Sequence, residues 1–221
     1  MKALSRIIAG ISLVVLVSVL STGGCSDNKK KPDREEFLNP VIIHSQNGVI
    51  DEVFDVIFSE NEVNGKSFIS ATYNGTYVPP VLSVKRGDTI HLRVNNSVDQ
   101  MTNVHYHGMN ISPLSPSDDI FIMITPSSSF DYTINIPDDH PQGMFYYHSH
   151  LFGLTEYQIM GGLSGGLIVE GILDPFPQLD GITQQVMYLK DVQIKNGEVP
   201  AEGDIDPSGP TNFTVNGQTN P

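Results

Sequence analysis

Short runs of β-branched and aromatic residues, separated by turn clusters of glycine, proline and asparagine, fill the chain from Pro40 onward. Such runs are typical of strands, and no apolar repeat of helical period continues for three turns. The runs that predict strands before residue 175 are 49–58, 67–73, 81–84, 89–95, 104–107, 120–124, 130–136, 143–148 and 166–170. Their spacing predicts an all-β chain with a Greek-key β-sandwich over residues 41–175.

The last part of the chain, residues 176–221, follows the predicted sandwich after a proline-containing stretch. One further strand is predicted at 185–191, and a loop rich in glycine and proline leads from it to an apolar stretch at 213–215. So few apolar positions cannot bury a core of their own. We therefore expect residues 176–221 to be a linker and the incomplete start of a second domain.

The N-terminus has the features of an export signal. Lys2 and Arg6 precede an apolar run of 14 residues, 7–20, which small residues separate from Cys25. This pattern predicts a signal peptide over residues 1–25, because the run is shorter than the roughly 20 residues that span a bilayer. Cys25 lies where a bacterial lipoprotein would be cleaved and lipidated, although ordinary secretion would instead remove it with the signal. We expect an exported protein, periplasmic or at the cell surface, with a polar tether at 26–40.

The charge of the chain limits its partners. With 12 Lys and Arg residues against 25 Asp and Glu residues, the formal net charge is −13. A chain of this charge without a basic patch is repelled by phosphate backbones and by anionic lipid. Nucleic-acid binding is therefore not expected.

Two pairs of histidines, each with a single residue between them, are the strongest functional signal. His105 and His107 form the first pair, and His148 and His150 form the second. Each pair lies in a predicted strand, where residues two apart point to the same face. Neutral imidazole binds copper, zinc, iron or nickel, so the pairs predict a metal site without naming the metal. Cα atoms two residues apart on a strand are roughly 6.6 Å from each other, which favours a site with more than one metal ion.

The other conspicuous residues have plainer interpretations. His44 and His91 are expected to be structural or solvated, and His140 is expected to form hydrogen bonds within a loop. Asp138 and Asp139 are adjacent on an extended chain, so their side chains point apart and do not form an acid/base pair. The glycines of residues 161–166 are expected to permit close packing before the next strand. No catalytic residue is predicted beyond the metal ligands.

Several motifs in one order resemble the N-terminal part of a multicopper oxidase, laccase-like and bacterial. The matching segments are YNGT at 73–76, VKRGD at 84–88, NVHYHG at 103–108, IPDDHP at 136–141, FYYHSH at 145–150, GGLSG at 161–165 and VNGQ at 215–218. The resemblance covers about residues 45–221 and implies a cupredoxin-like sandwich. It also implies that VNGQ belongs to the opening of a second cupredoxin domain.

The resemblance implies a role for each paired histidine. His105 would bind a type 2 copper, and His107, His148 and His150 would bind type 3 coppers. In this family such a trinuclear cluster reduces dioxygen to water with electrons from a type 1 copper, which oxidises a reducing substrate, either a phenol or a metal ion. The other four cluster histidines and the type 1 site belong to a C-terminal cupredoxin domain. This chain has one cysteine and no His-Cys-His sequence, so we expect a fragment that needs that domain or a partner chain and is inactive alone.

The chain departs from the family pattern at two positions, and two alternative functions remain open. Tyr106 stands where relatives usually have tryptophan, and Phe152 stands where many bacterial relatives have another histidine; neither position is an expected ligand. The main alternative is a stand-alone exported cupredoxin module that binds copper without oxidase activity. The other is a β-sandwich adhesion or structural module with incidental histidines.

Overall fold

The computed structural model of the protein describes residues 36–219 and Pro221. The predicted signal peptide with Cys25 lies outside the described residues, as does the predicted tether up to residue 35. Among the helices of the described part, none is long and apolar enough to cross a bilayer.

Strands dominate the described part of the chain. They are β1 Ile42–His44, β2 Val49–Val63, β3 Lys66–Tyr73, β4 Val81–Val84, β5 Thr89–Asn96, β6 His105–His107, β7 Ser128–Asn135, β8 Gly143–His148, β9 Ser164–Val169, β10 Leu189–Val192 and β11 Asn212–Val215. An α-helix, α1, spans Thr155–Gly161, and a short 3-10 helix spans Pro177–Leu179.

The first nine strands form two sheets. The five-stranded sheet has the order β1-β4-β9-β8-β6, and the four-stranded sheet has the order β3-β2-β5-β7. Both sheets are mixed. In the five-stranded sheet, for example, β4 is parallel to β1 and β9, whereas β8 is antiparallel to β6 and β9. Most neighbours in a sheet are distant in sequence, as in Greek-key sandwiches. The predicted all-β sandwich is therefore confirmed.

One hydrophobic core lies between the two sheets, and the alternation of side chains along each strand explains it. In β5, Ile90, Leu92 and Val94 are at most 1% exposed, whereas His91 lies on the outer face. In the facing sheet, Leu82 and Leu167 are 0% exposed and belong to the same cluster. The period of two that predicted the strands thus also defines their buried faces.

The strand predicted at 120–124 is wrong. This segment forms only an isolated bridge, in which the backbones of Thr102 and Ile124 exchange two hydrogen bonds of 3.1 and 2.9 Å. Phe121 and Met123 are 82% and 62% exposed. The apolar composition of a segment does not say whether a sheet edge is available to pair with it.

The helix α1 was also not predicted from the sequence. The helix has seven residues, too few for an apolar repeat to persist over three turns. Gly162 ends it with φ of 136°, and its backbone N–H donates to the carbonyls of Gln158 and Ile159. Glycine at this position is the usual C-terminal signal of a helix, because other residues are strained at positive φ.

The tail after residue 175 packs against the sandwich. β10 and β11 pair antiparallel in a sheet of their own. Val192 and Val199 join a second hydrophobic cluster with Val63, Phe68 and Tyr77. The tail therefore buries its few apolar side chains against the first domain, and the domain boundary at 175 stays a prediction.

Lys190 in β10 is buried among these elements. Its Nζ donates to the carbonyl of Tyr77 at 3.0 Å and to Ser164 Oγ at 3.2 Å, and it lies 4.3 Å from the centre of the Tyr77 ring. Burial lowers the pKa of Lys190 to about 7, because the charged form loses its hydration.

We expect this lysine to make stability rise with pH. In the unfolded chain the lysine pKa is about 10.4, so between pH 7 and pH 10 unfolding takes up a proton that the native state has released. The contribution reaches about 1.4 kcal/mol per pH unit at most. Urea unfolding of Lys190→Met should lack this rise, whereas the exposed-lysine control Lys195→Met should keep it. An equal rise in the wild type and Lys190→Met would contradict the expectation.

Candidate metal centre

The pairing register of β6 and β8 brings the two histidine pairs together. His105 lies opposite His148, and His107 lies opposite Tyr146. The residues that adjoin these histidines in the strands face the other way: Tyr106 and Tyr147 lie opposite each other in the core, both 0% exposed. The alternation that buries two tyrosines therefore places the histidines on the outer face of the five-stranded sheet.

The four rings are close to one another. A potential ligand atom from each of His105, His107 and His148 lies within 4.8 Å of the other two, and His107 Nδ1 is 3.3 Å from His148 Nε2. The prediction that the second pair lies within one strand is wrong, because β8 ends at His148 and His150 follows it. The ring centre of His150 is 5.1 Å from that of His105 and 5.8 Å from that of His148. The structure thus brings together all four residues that the sequence predicted; their assignment as metal ligands stays a prediction.

Hydrogen bonds fix the tautomers of two rings. His105 Nδ1 lies 2.9 Å from Asp118 Oδ1, and His148 Nδ1 lies 2.8 Å from the carbonyl oxygen of Ser149. A carbonyl or a carboxylate only accepts, so each Nδ1 carries the proton and donates it. Nε2 of both rings then carries no proton, which is the usual arrangement of a metal-binding histidine, and that of His148 accepts from His107 Nδ1 at 3.3 Å.

Burial also keeps His148 neutral. The pKa of His148 is lowered to about 4, first by burial, while its hydrogen bond to Ser149 opposes the shift and the three neighbouring histidines add to it. The ring therefore has an unprotonated nitrogen throughout the neutral pH range. Metal binding to His148 needs no proton release in that range.

Asp118 and Tyr146 are site residues that the sequence did not predict. One oxygen of Asp118 accepts from both His105 Nδ1 and the backbone N–H of Tyr106, each at 2.9 Å. The ring of Tyr146 stacks on His107, with centres 4.5 Å apart, and on His148, with centres 5.1 Å apart. Tyr146 could have been found from its strand position, two residues before His148, but Asp118 lies in a loop without periodicity.

The remaining histidines lie outside the cluster. His44 pairs with Glu170 at 3.1 Å, and His91 pairs with Asp51 at 2.8 Å, both at exposed positions. His140 is 0% exposed; its Nδ1 donates to the carbonyl of Pro141, and its Nε2 accepts from the N–H of Asn110. His140 thus forms the loop hydrogen bond that the sequence predicted, and His44 and His91 lie at exposed positions away from the cluster.

Comparison with known proteins relates the chain to copper proteins. The sequence profile of a family described as "Multicopper oxidase" matches residues 59–173. Laccase-1 of Thanatephorus cucumeris is 30% identical over 157 residues, which make up 66% of this chain and 26% of that protein. Copper resistance protein A of Escherichia coli is 35% identical over 123 residues, which make up 53% of this chain and 19% of that protein.

The crystal structure of a laccase from Pediococcus acidilactici has the same fold. It superposes with a TM-score of 0.69 at 21% identity, over 86% of this chain and 43% of that one. The predicted cupredoxin-like sandwich is thereby confirmed. The chain spans about a quarter or less of the length of the two curated relatives.

Proposed function

Because this chain belongs to the multicopper oxidase family, we propose that it is the N-terminal part of a copper-dependent oxidase. The oxidase couples one-electron oxidation of a reducing substrate to four-electron reduction of dioxygen to water. The observation that carries the proposal is that the two histidine pairs meet at one face of the sheet. Potential ligand atoms of His105, His107 and His148 lie within 4.8 Å of one another.

We assign His105 to a type 2 copper and His107, His148 and His150 to type 3 coppers. The donor set suits copper, because imidazole is among the ligands that copper prefers. The unprotonated Nε2 atoms of His105 and His148 support the assignment, and His107 Nδ1, which donates to His148 Nε2 at 3.3 Å, keeps these two rings side by side. When bound, the copper cluster supplies the electron transfer to dioxygen.

Other groups of the chain hold these rings in place. Asp118 and the Ser149 carbonyl keep the Nδ1 protons of His105 and His148, so Nε2 of each ring stays available. Tyr146 restricts rotation of His107 and His148 by stacking on both rings. Preorganised ligands lower the entropy that metal binding costs, because the rings need not be ordered on binding.

The rest of the cluster must come from elsewhere. Four histidines are half of the ligands that the trinuclear cluster requires, so a C-terminal cupredoxin domain or a partner chain supplies the others together with the type 1 copper. His107 and His150 are exposed, which leaves this face open to such a domain. The predicted N-terminal signal supports export to the periplasm or cell surface, and the position of Cys25 supports a lipid anchor there.

The test is dioxygen consumption by the protein encoded by the whole reading frame that contains residues 36–219. After copper loading, a phenol or Cu(I), Fe(II) or Mn(II) should be oxidised with four electrons consumed per dioxygen. His148→Ala should lower the rate by at least about 100-fold, because a buried ligand is lost, whereas His91→Ala should leave it unchanged. Copper binding without dioxygen consumption would instead support the stand-alone copper-binding module.

A further inference from the structure

A buried hydrogen-bond network lies directly behind the histidine face. Its centre is Gln158, which lies in α1 and is 0% exposed. The Gln158 side-chain oxygen accepts from the hydroxyls of Ser149 and Thr102, the second at 3.1 Å. Its side-chain nitrogen donates to the carbonyl of Met101 at 2.9 Å. One amide therefore serves two donors and one acceptor.

These partners belong to the two segments that carry the histidines. Met101 and Thr102 precede the first pair in the chain, and Ser149 lies between the two histidines of the second. Gln158 thus connects the two segments through a single side chain. Asn103 adds a second connection, because its Oδ1 accepts from the backbone N–H of His150 at 2.7 Å.

The network reaches a ring through Ser149. The hydroxyl of Ser149 is held by Gln158, and the carbonyl of the same residue accepts from His148 Nδ1 at 2.8 Å. A change in the backbone at Ser149 would turn this carbonyl and with it the ring of His148. His148 Nε2, which lies 3.3 Å from His107 Nδ1, would then move relative to the other ligand atoms.

Burying the Gln158 amide gains no folding free energy over an apolar side chain, so its hydrogen bonds are expected to serve the site. Burying a polar side chain costs free energy that hydrogen bonds only balance, and an apolar side chain of similar size fills the same space without that cost. Methionine would leave two hydroxyls and one carbonyl without this partner. Glutamate would keep the acceptor but would place a second oxygen, rather than a donor, beside the Met101 carbonyl.

We propose that Gln158 is a positioning residue that sets the orientation of His148 and the spacing of the two histidine pairs. This inference rests on the proposed function, because it takes the spacing of the histidine pairs to be the one that copper binding requires. Gln158 itself does not bind the metal. It acts through the hydroxyl and carbonyl of Ser149.

The experiment compares the chain with its variants Gln158→Met and Gln158→Glu. In the metal-free chain, ¹⁵N NMR of the imidazoles should show His148 with the proton on Nδ1, and Gln158→Met should give a mixture of the two tautomers. Gln158→Met should also lower the affinity for Cu(II) by about 10- to 100-fold, as loss of an outer hydrogen-bond partner usually does, and should change the Cu(II) EPR spectrum. Gln158→Glu, which keeps the acceptor for Ser149, should have an intermediate effect and is used if Gln158→Met does not fold.

The matched control is Met160→Ala, a change in the same helix that packs into the second hydrophobic cluster. It should lower stability while the His148 signals and the EPR spectrum stay as in the wild type. Unchanged His148 signals and copper affinity in the Gln158 variants would overturn the inference and leave the proposed function intact. If the wild type does not bind copper at these histidines, the proposed function fails, and the NMR comparison still decides whether Gln158 orients His148.

Discussion

Copper binding by this chain is expected to be lost when His105, His107, His148 and His150 are all replaced by alanine. The four rings are the proposed nitrogen donors, and a potential ligand atom from each of His105, His107 and His148 lies within 4.8 Å of the other two. Among the described residues, no other group of three His, Cys, Asp or Glu side chains has this spacing, so removing all four imidazoles removes the ligands that copper prefers. Metal content after equilibrium dialysis against Cu(II) should fall from at least one copper per chain to background.

Single replacements should differ in a way that the geometry predicts. His148 is buried and belongs to the close group of three, so His148→Ala should weaken copper binding by the chain more than His150→Ala does. The control is the double variant His44→Ala/His91→Ala, which removes two exposed imidazoles outside the site. An unchanged copper stoichiometry in the quadruple variant would show that the metal binds elsewhere.

The site could be predicted from sequence only as far as local periodicity reaches. A period of two places His105 and His107 on one face, and this needs no knowledge of the partner strand. For the second pair the period reaches only His148, where β8 ends. The pairing of His105 with His148 is a contact between residues 43 positions apart in the chain, which the sequence pattern does not specify. The distance between the pairs allows two strands of one sandwich to face the same site, but only the family resemblance assigned all four histidines to one copper cluster.

The groups that orient the rings escaped prediction for a related reason. Asp118 lies in an irregular loop, and Gln158 lies in a helix of seven residues, so neither position carries a periodic signal. Their roles depend on tertiary contacts with His105 and Ser149. The wrong strand at 120–124 has the same origin, because strand formation there would have required an unpaired sheet edge.

The glycine-rich stretch 161–166 was predicted to permit close packing, and Gly165 in β9 confirms it. Gly165 lies opposite Tyr147 of β8, so both residues face the core from neighbouring strands. A Cβ atom at Gly165 would overlap the ring and hydroxyl of Tyr147. This tyrosine packs in tilted geometry against Phe54 and Tyr73, with ring centres 5.5 and 5.9 Å away, and its hydroxyl donates to the carbonyl of Pro80 at 2.7 Å.

Gly165→Ala is therefore expected to lower the free energy of unfolding by at least about 3 kcal/mol, because it overpacks the core and breaks a buried hydrogen bond. Urea unfolding measures the loss, and Gly166→Ala is the matched control. At Gly166 the added Cβ would lie 3.2 Å from a Val81 methyl group, so we expect a cost of about 1 kcal/mol.

The overlap with Tyr147 makes the effect of Gly165→Ala specific, and a double variant tests this. Tyr147→Leu alone should destabilise the chain by about 2 to 4 kcal/mol, because it removes a large buried ring. If Tyr147 is the obstacle, combining it with Gly165→Ala should cost clearly less than the sum of the two single changes, since the smaller side chain leaves room for the methyl group. If the two losses of unfolding free energy are additive, the strain in Gly165→Ala comes from a contact other than that with Tyr147.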